Sequence, residues 1–151
     1  MRRRRGFIII LALILCLLIV VIGLGFLGMR RGEYEAGASA VAVAEARSVA
    51  RAGMEDAKVK LAKDQFFPTG VGDEQLLFSY SEDLPGFTRT SAGSYQVTVD
   101  RTRKSKGVVV IESVGTAGSL KSPRGRYAIS AELDLEDYRF KNWNEGVLSQ
   151  R

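Results

Sequence analysis

The distribution of apolar and polar residues divides the chain near residue 29. Residues 7–29 contain no charged residue and no proline, and seventeen of these twenty-three positions are Leu, Ile, Val or Phe. A helix rises about 1.5 Å per residue, so this run would extend roughly 35 Å, slightly more than a hydrocarbon core of about 30 Å. The apolar region of an ordinary secretory signal is only about 7 to 15 residues long. The pattern therefore predicts a transmembrane helix over residues 7–29.

The charges that flank this run predict its orientation. Four arginines occupy residues 2–5, within a basic segment of residues 1–6, whereas only Arg30 and Arg31 follow the run. An excess of Lys and Arg marks the cytoplasmic side of a membrane helix. We therefore expect a single-pass membrane protein with a cytoplasmic N-terminus and an extracytoplasmic domain.

A second apolar pattern, with helical spacing, follows the run. Residues 36–62 contain ten alanines and no proline. Apolar positions recur there every three or four residues, as on one face of an amphipathic helix. The members of this stripe are Val43, Ala46, Ala50, Met54, Ala57 and Leu61. We predict that residues 30–64 form an amphipathic helix that continues the membrane span.

Five glycines cluster where the predicted helix would leave the membrane, and each costs up to about 1 kcal/mol relative to Ala in a helix interior. They are Gly23, Gly25, Gly28, Gly32 and Gly37. One interpretation is flexibility or close helix packing, for which Gly28 and Gly32 have the small-xxx-small spacing. The other is a local melting of the helix that serves the function.

Beyond residue 64 the pattern changes from helical to extended. Turn-forming residues dominate residues 65–92, which predicts a connecting loop with room for one short strand. Residues 93–137 contain three strand-like runs, and the turns between them fall at 103–107 and 118–125. A sheet this small needs an apolar cover, which the helical stripe can supply. We predict an α+β fold in which a long N-terminal helix packs on a small three-stranded antiparallel meander, followed by a tail over residues 138–151.

Two groups of side chains are candidates for a partner surface. The basic residues of the first predicted turn are Arg101, Arg103, Lys104 and Lys106, and those of the second are Lys121, Arg124 and Arg126. The two turns would lie at opposite ends of the sheet without aromatic platforms, so charged hairpin tips are favoured over DNA binding. In the tail, Tyr138, Phe140 and Trp143 either close the core or contact a partner. The candidate surface therefore comprises Arg103, Lys104, Lys106, Tyr138, Phe140 and Trp143.

The composition bears on the chemistry of the chain. The formal net charge is +5, but six of the 22 basic residues lie in residues 1–31, which leaves 16 basic and 17 acidic residues beyond them. The chain has no histidine, and its one cysteine, Cys16, lies in the apolar run. Histidine-based acid–base chemistry, the common zinc sites and an intramolecular disulfide are thereby excluded. We predict no catalytic residue, no cofactor and no metal, so the chain is not expected to be an enzyme.

Arg-Arg-Arg-Arg-Gly-Phe at residues 2–7, followed by the apolar run, resembles the leader of a type IV prepilin or pseudopilin. The resemblance implies that prepilin peptidase cuts after Gly6 and that Phe7 becomes the N-methylated first residue. Residues 45–57, 93–99 and 111–116 are similar to segments of PilX-like minor pilins. Major pilins and most pseudopilins have a glutamate five residues into the mature chain, where this sequence has Leu11. In lacking this glutamate, the chain resembles the tip-type minor subunits of the superfamily.

The resemblance implies a non-catalytic minor pilin or pseudopilin of a pilus or type II secretion system. Its partners would be other pilin subunits, contacted through the N-terminal helix, and prepilin peptidase. It would reside in a bacterial inner membrane and enter a filament, where Leu11 suggests a priming or tip position, and Gly28 and Gly32 would assist assembly. The alternative is a membrane-anchored extracytoplasmic binding or adaptor domain that enters no filament.

Overall fold

One long helix and five strands account for most of the chain in the computed structural model, which describes residues 4–68, 75–84, 93–119 and 122–148. Helix α1 comprises Arg4–Lys63. The strands are β1 (Leu77–Leu84), β2 (Gly93–Asp100), β3 (Val108–Ser119), β4 (Ser122–Asp134) and β5 (Phe140–Val147). The chain divides into two compact units, Met1–Ala38 and Ser39–Arg151, and the boundary falls within α1.

The second unit consists of the last part of α1 and the sheet. Both the predicted amphipathic helix and its apolar stripe are confirmed, because the members from Ala46 to Leu61 are at most 1% exposed and Val43 is half-buried. Half of the six stripe residues are alanine, whose short side chain lets a helix approach a sheet closely. The core therefore lies between α1 and one face of the sheet.

The sheet is an antiparallel meander in the order β1-β2-β3-β4-β5. The register aligns Val97 with Ser113 and Ser113 with Ile129. Because successive side chains point to opposite faces of a strand, these residues share the buried face with other fully buried side chains of the strands: Val99, Val109, Ile111 and Leu133. The α+β fold class with a long helix on a small meander is confirmed.

The number of strands was predicted incorrectly. β1 lies inside the predicted connecting loop 65–92, where the sequence left room for one short strand, and β5 occupies most of the predicted tail 138–151, where no strand was expected. Neither strand has a clean alternation of apolar and polar residues, because Glu82 of β1 and Glu145 of β5 bond to basic residues of α1. β5 also departs from regular pairing, with a register shift between Ser130 and Glu132 of its neighbour. The three predicted strands correspond to β2, β3 and β4.

Glycines permit the closest approach between α1 and the sheet. A Cβ on Gly115 would collide with backbone atoms of Ala46 and Ala50, and one on Gly125 would lie 2.8 Å from the carbonyl oxygen of Ala42. The predicted turn at 118–125 is shorter than expected, because Gly125 belongs to β4. At the other turn, Gly107 has a φ of 75°, a conformation that glycine adopts without strain.

Candidate functional site

The largest uncovered apolar surface of the described chain is the first part of α1. Every Leu, Ile, Val, Phe and Met side chain of residues 7–29 is between 55% and 74% exposed. The helix is long and apolar enough to cross a membrane, with a mean hydropathy of 3.6 over its most apolar window. Soluble proteins seldom leave so large a patch uncovered, and such patches mark contacts with membranes or partners. This surface is the main candidate site.

The residues predicted for processing and assembly lie on this segment. Gly6 and Phe7 are in the first turns of α1, and the Phe7 side chain is 68% exposed. Leu11 is also exposed, and a Cβ added at Gly28 or Gly32 would meet no atom within 4 Å beyond its chain neighbours and the adjacent helix backbone. Both glycines therefore offer open helix surface. Their predicted roles in cleavage and subunit packing stay predictions.

A polar network joins α1 to the edge strand β1 in the second unit. The Tyr80 hydroxyl donates to Asp56 over 2.9 Å, and the Tyr95 hydroxyl donates to Glu82 over 2.8 Å. Lys60 lies between the two carboxylates, 2.7 Å from Asp56 and in contact with Glu82. Asp56 and Lys60, four residues apart on α1, thus form an ion pair that extends to Glu82 of the sheet.

The network shifts the pKa values of its members. Hydrogen bonds from Lys60 and Tyr95 lower the pKa of Glu82. Burial, followed by the hydrogen bond to a carboxylate, raises the pKa of both Tyr80 and Tyr95. For Lys60, burial alone would lower the pKa, but hydrogen bonds to Asp56 and Glu82 raise it above the ordinary value. The network is therefore a structural one at neutral pH, with charged Lys60 and Glu82 and neutral tyrosines.

The opposite edge strand is attached to α1 in a similar way. Arg47 donates to both carboxylate oxygens of Glu145 on β5, and Arg51 lies 3.6 Å from the same carboxylate. The hydrogen bond from Arg47 lowers the pKa of Glu145. The structure thus pairs Arg51, like Arg47, with the sheet. Both edge strands are therefore held to the helix by ion pairs as well as by apolar contacts.

The basic residues of the first turn do not form one cationic surface. Arg101 is 3% exposed; it donates to the carbonyl oxygen of Phe67 and lies over the ring of Phe78. Arg103 pairs with Glu132, and the Lys104 ammonium lies 3.8 Å from the centre of the Phe66 ring. Of the four described basic side chains of this turn, only Lys106 has neither an ion pair nor an aromatic contact. Most of the predicted basic turn surface is thus used inside the chain.

The three aromatic residues after β4 divide between core and surface. Tyr138 and Phe140 are half-buried against the core, and Gln65 donates to the Tyr138 hydroxyl over 3.0 Å. The Phe140 ring lies edge-on to Trp143 at 5.6 Å between centres and receives the Lys58 ammonium at a similar distance. Trp143 itself is 42% exposed. Tyr138 and Phe140 therefore help to close the core, while Trp143 is left as a surface residue.

Sequence reasoning missed one feature, a depression of about 290 Å³ on the sheet. Its lining includes Ser81, Ser94, Gln96, Thr116 and Arg126. These residues come from four strands and are scattered in sequence, so no motif marks them. Within the described residues, no group of three or more His, Cys, Asp or Glu side chains could hold a metal ion.

Comparison with protein-family models, with curated proteins and with solved structures finds no match to this chain.

Proposed function

We propose that this chain is a minor pilin or pseudopilin, a non-catalytic subunit of a type IV filament used in pilus assembly or type II secretion. The observation that carries the proposal is the difference in exposure between the two parts of α1. Its first part exposes large apolar side chains on all sides, whereas its second part is buried against the sheet of the same chain. A subunit that is stored in a membrane and later packed among other helices needs this combination.

The exposed segment is suited to both environments. On an insertion scale of about −0.3 to −0.6 kcal/mol for each Leu, Ile, Val or Phe, its seventeen such residues favour the bilayer by roughly 5 to 10 kcal/mol. Transfer into a bundle of similar helices keeps the same surface out of water, so extraction from lipid need not expose it. The membrane segment would thus serve first as an anchor and then as the assembly element.

Leu11 favours a priming or tip position over one in the shaft. Its side chain is apolar and 56% exposed, so it offers no carboxylate to the terminal amine of a neighbouring subunit. An unpaired amine inside an apolar helix bundle is costly, because a buried charge needs a partner. A subunit at the end of a filament would avoid this cost.

Processing of the leader tests the proposal. The protein is isolated from cells with and without prepilin peptidase, and its intact mass and N-terminal sequence are determined. We expect a chain that begins at methylated Phe7 in normal cells and an intact leader in cells without the enzyme. The variant Gly6→Phe should stay unprocessed, whereas the control Gly25→Leu, within the span, should be cut normally.

The same experiment separates the proposal from a permanent anchored adaptor. An adaptor retains residues 1–6 whether or not the peptidase is present, and Gly6→Phe leaves it unchanged. Unprocessed protein in normal cells would therefore refute the filament proposal and favour the adaptor.

A further inference from the structure

The depression on the sheet lies on the face turned away from α1. Adjacent strands contribute two rows of side chains to this region. One row contains Ser81, Gln96 and Val114, which are register partners across β1, β2 and β3. The next row contains Ser94, Thr116 and Arg126, which are register partners across β2, β3 and β4. The cavity of about 290 Å³ between them has room for a group of a few heavy atoms.

Ser94 gives the first sign that the depression is a binding site. Its side chain is on the outer face, since its neighbour Tyr95 points into the core. The residue is nevertheless only 4% exposed, and its hydroxyl has no hydrogen-bond partner. Buried hydroxyl groups in folded proteins nearly always have a partner. The lining thus contains a buried hydroxyl group that has no hydrogen-bond partner within the described chain.

Arg126 gives an independent sign. Its side chain is exposed and makes no ion pair with any residue of the described chain, whereas Arg124, two residues earlier, pairs with Glu45 at 2.9 Å. Arg126 also lines the cavity beside Thr116 and Pro123. Pro123 is brought there by an irregular hairpin, in which Gly118 has a φ of 91° and the register shifts after Ala117. The lining therefore combines one uncompensated guanidinium with hydroxyl and amide groups.

We propose that this depression binds a carboxylate. The Arg126 guanidinium would supply the charge and a charge-assisted hydrogen bond, and the Ser94 and Thr116 hydroxyls and the Gln96 amide would supply neutral donors. One cation matches a singly charged carboxylate better than a doubly charged phosphate. The carboxylate belongs either to a small free organic acid or to the C-terminus of a neighbouring polypeptide. This site does not depend on whether the chain enters a filament.

Titration of the full chain in nonionic detergent micelles, followed by its backbone amide NMR signals, tests the site. The probes are lactate, acetyl-trialanine with a free C-terminus, and the same peptide with an amidated C-terminus. We expect saturable shifts at Ser94, Gln96 and Thr116 with at least one carboxylate probe and none with the amide. Binding of lactate alone identifies a free acid as the source, and binding of the peptide alone identifies a chain terminus. Absence of saturable shifts, or equal binding of the amidated peptide, would overturn the proposal.

Two variants and a control separate a binding site from a merely structural one. Arg126→Gln should weaken carboxylate binding at least tenfold, whereas Arg139→Gln removes the same charge from a side chain that is 82% exposed and lies outside the lining, and should change nothing. Ser94→Ala should weaken binding without lowering the melting temperature of the free protein, since its hydroxyl has no internal partner to lose. Equal losses in the two arginine variants would show non-specific attraction and would refute the site. A lower melting temperature in Ser94→Ala with unchanged binding would do the same.

Discussion

The two parts of α1 bury their apolar residues by different means. Residues 7–29 present large side chains in every direction, and these side chains are 55% to 74% exposed. The part after residue 39 buries one apolar stripe, half of which is alanine, and Ala46 and Ala50 of that stripe lie against Gly115. The distribution of the apolar residues, on all sides in one part and along one stripe in the other, therefore distinguishes the two surfaces. A single stripe, with alanines at its closest contacts, fits a surface that the chain itself provides, and large apolar residues on all sides call for lipid or other helices.

Arginine substitutions in the two parts of α1 should differ most in their effect, which is on membrane insertion. Replacing both Leu15 and Leu18 by arginine should cost roughly 6 to 8 kcal/mol of membrane insertion, because each exchange near the centre of a span costs about 3 to 4 kcal/mol. We expect the protein to leave the membrane fraction, as measured by fractionation and carbonate extraction. The control Val41→Arg/Val59→Arg adds the same charges to two exposed positions of the second part, and it should stay in the membrane. Equal retention of both variants would contradict the membrane assignment.

Enlargement of one alanine in each part of α1 should give a smaller difference, and here the change in the second part should be the harmful one. Ala50 is fully buried, and a leucine there would press on the strand at Gly115. We expect Ala50→Leu to lower the free energy of unfolding by about 2 to 3 kcal/mol, as overpacking of a tight core does. Ala12→Leu, on the exposed segment, should leave thermal unfolding of the domain unchanged. A domain that tolerates Ala50→Leu as well as Ala12→Leu would show that the helix does not pack closely on the sheet.

The ion pairs that attach the edge strands should have the smallest effect, and it should depend on pH. The pKa of Glu82 is lowered in the folded state, so this carboxylate binds fewer protons in the folded state than in the unfolded state. Its contribution is complete above the ordinary glutamate pKa of about 4.3 and is lost as the pH falls through the lower folded value. Glu82→Gln should cost about 0.5 to 1 kcal/mol at pH 7, a modest value because the side chain is half-exposed.

Chemical denaturation between pH 3 and pH 7 measures this dependence. The difference in stability between the natural protein and Glu82→Gln should shrink as the pH falls below 4.3. Asp83→Asn is the matched control, because Asp83 makes no ion pair with any described residue, and its difference should be near zero throughout. A difference for Glu82→Gln that stays constant with pH would show that the carboxylate charge contributes nothing.

The edge strands show why part of the fold escaped prediction. Hydrophobic patterning identified α1 and the three central strands, since helical spacing marks the stripe of α1, alternation marks β2 and β4, and a run that is apolar on both faces marks β3. β1 and β5 instead direct Glu82 and Glu145 toward arginines and lysines of α1. Those pairings join residues far apart in sequence, so local spacing does not reveal them. The outer depression escaped for the same reason, because Ser94, Thr116 and Arg126 meet only through the strand register.

The two natural methionines retained after the predicted cleavage provide the most direct test. Met29, at the end of the apolar run, is 74% exposed, and Met54 of the buried stripe is 0% exposed. Cells that form filaments would incorporate photo-methionine, be irradiated and yield adducts for mass spectrometry, with Met29→Leu and Met54→Leu assigning each adduct. We predict that residue 29 joins this chain to another filament subunit and that residue 54 links only to the sheet of its own chain. Adducts from residue 29 to lipid alone, or adducts from residue 54 to a second chain, would contradict the account.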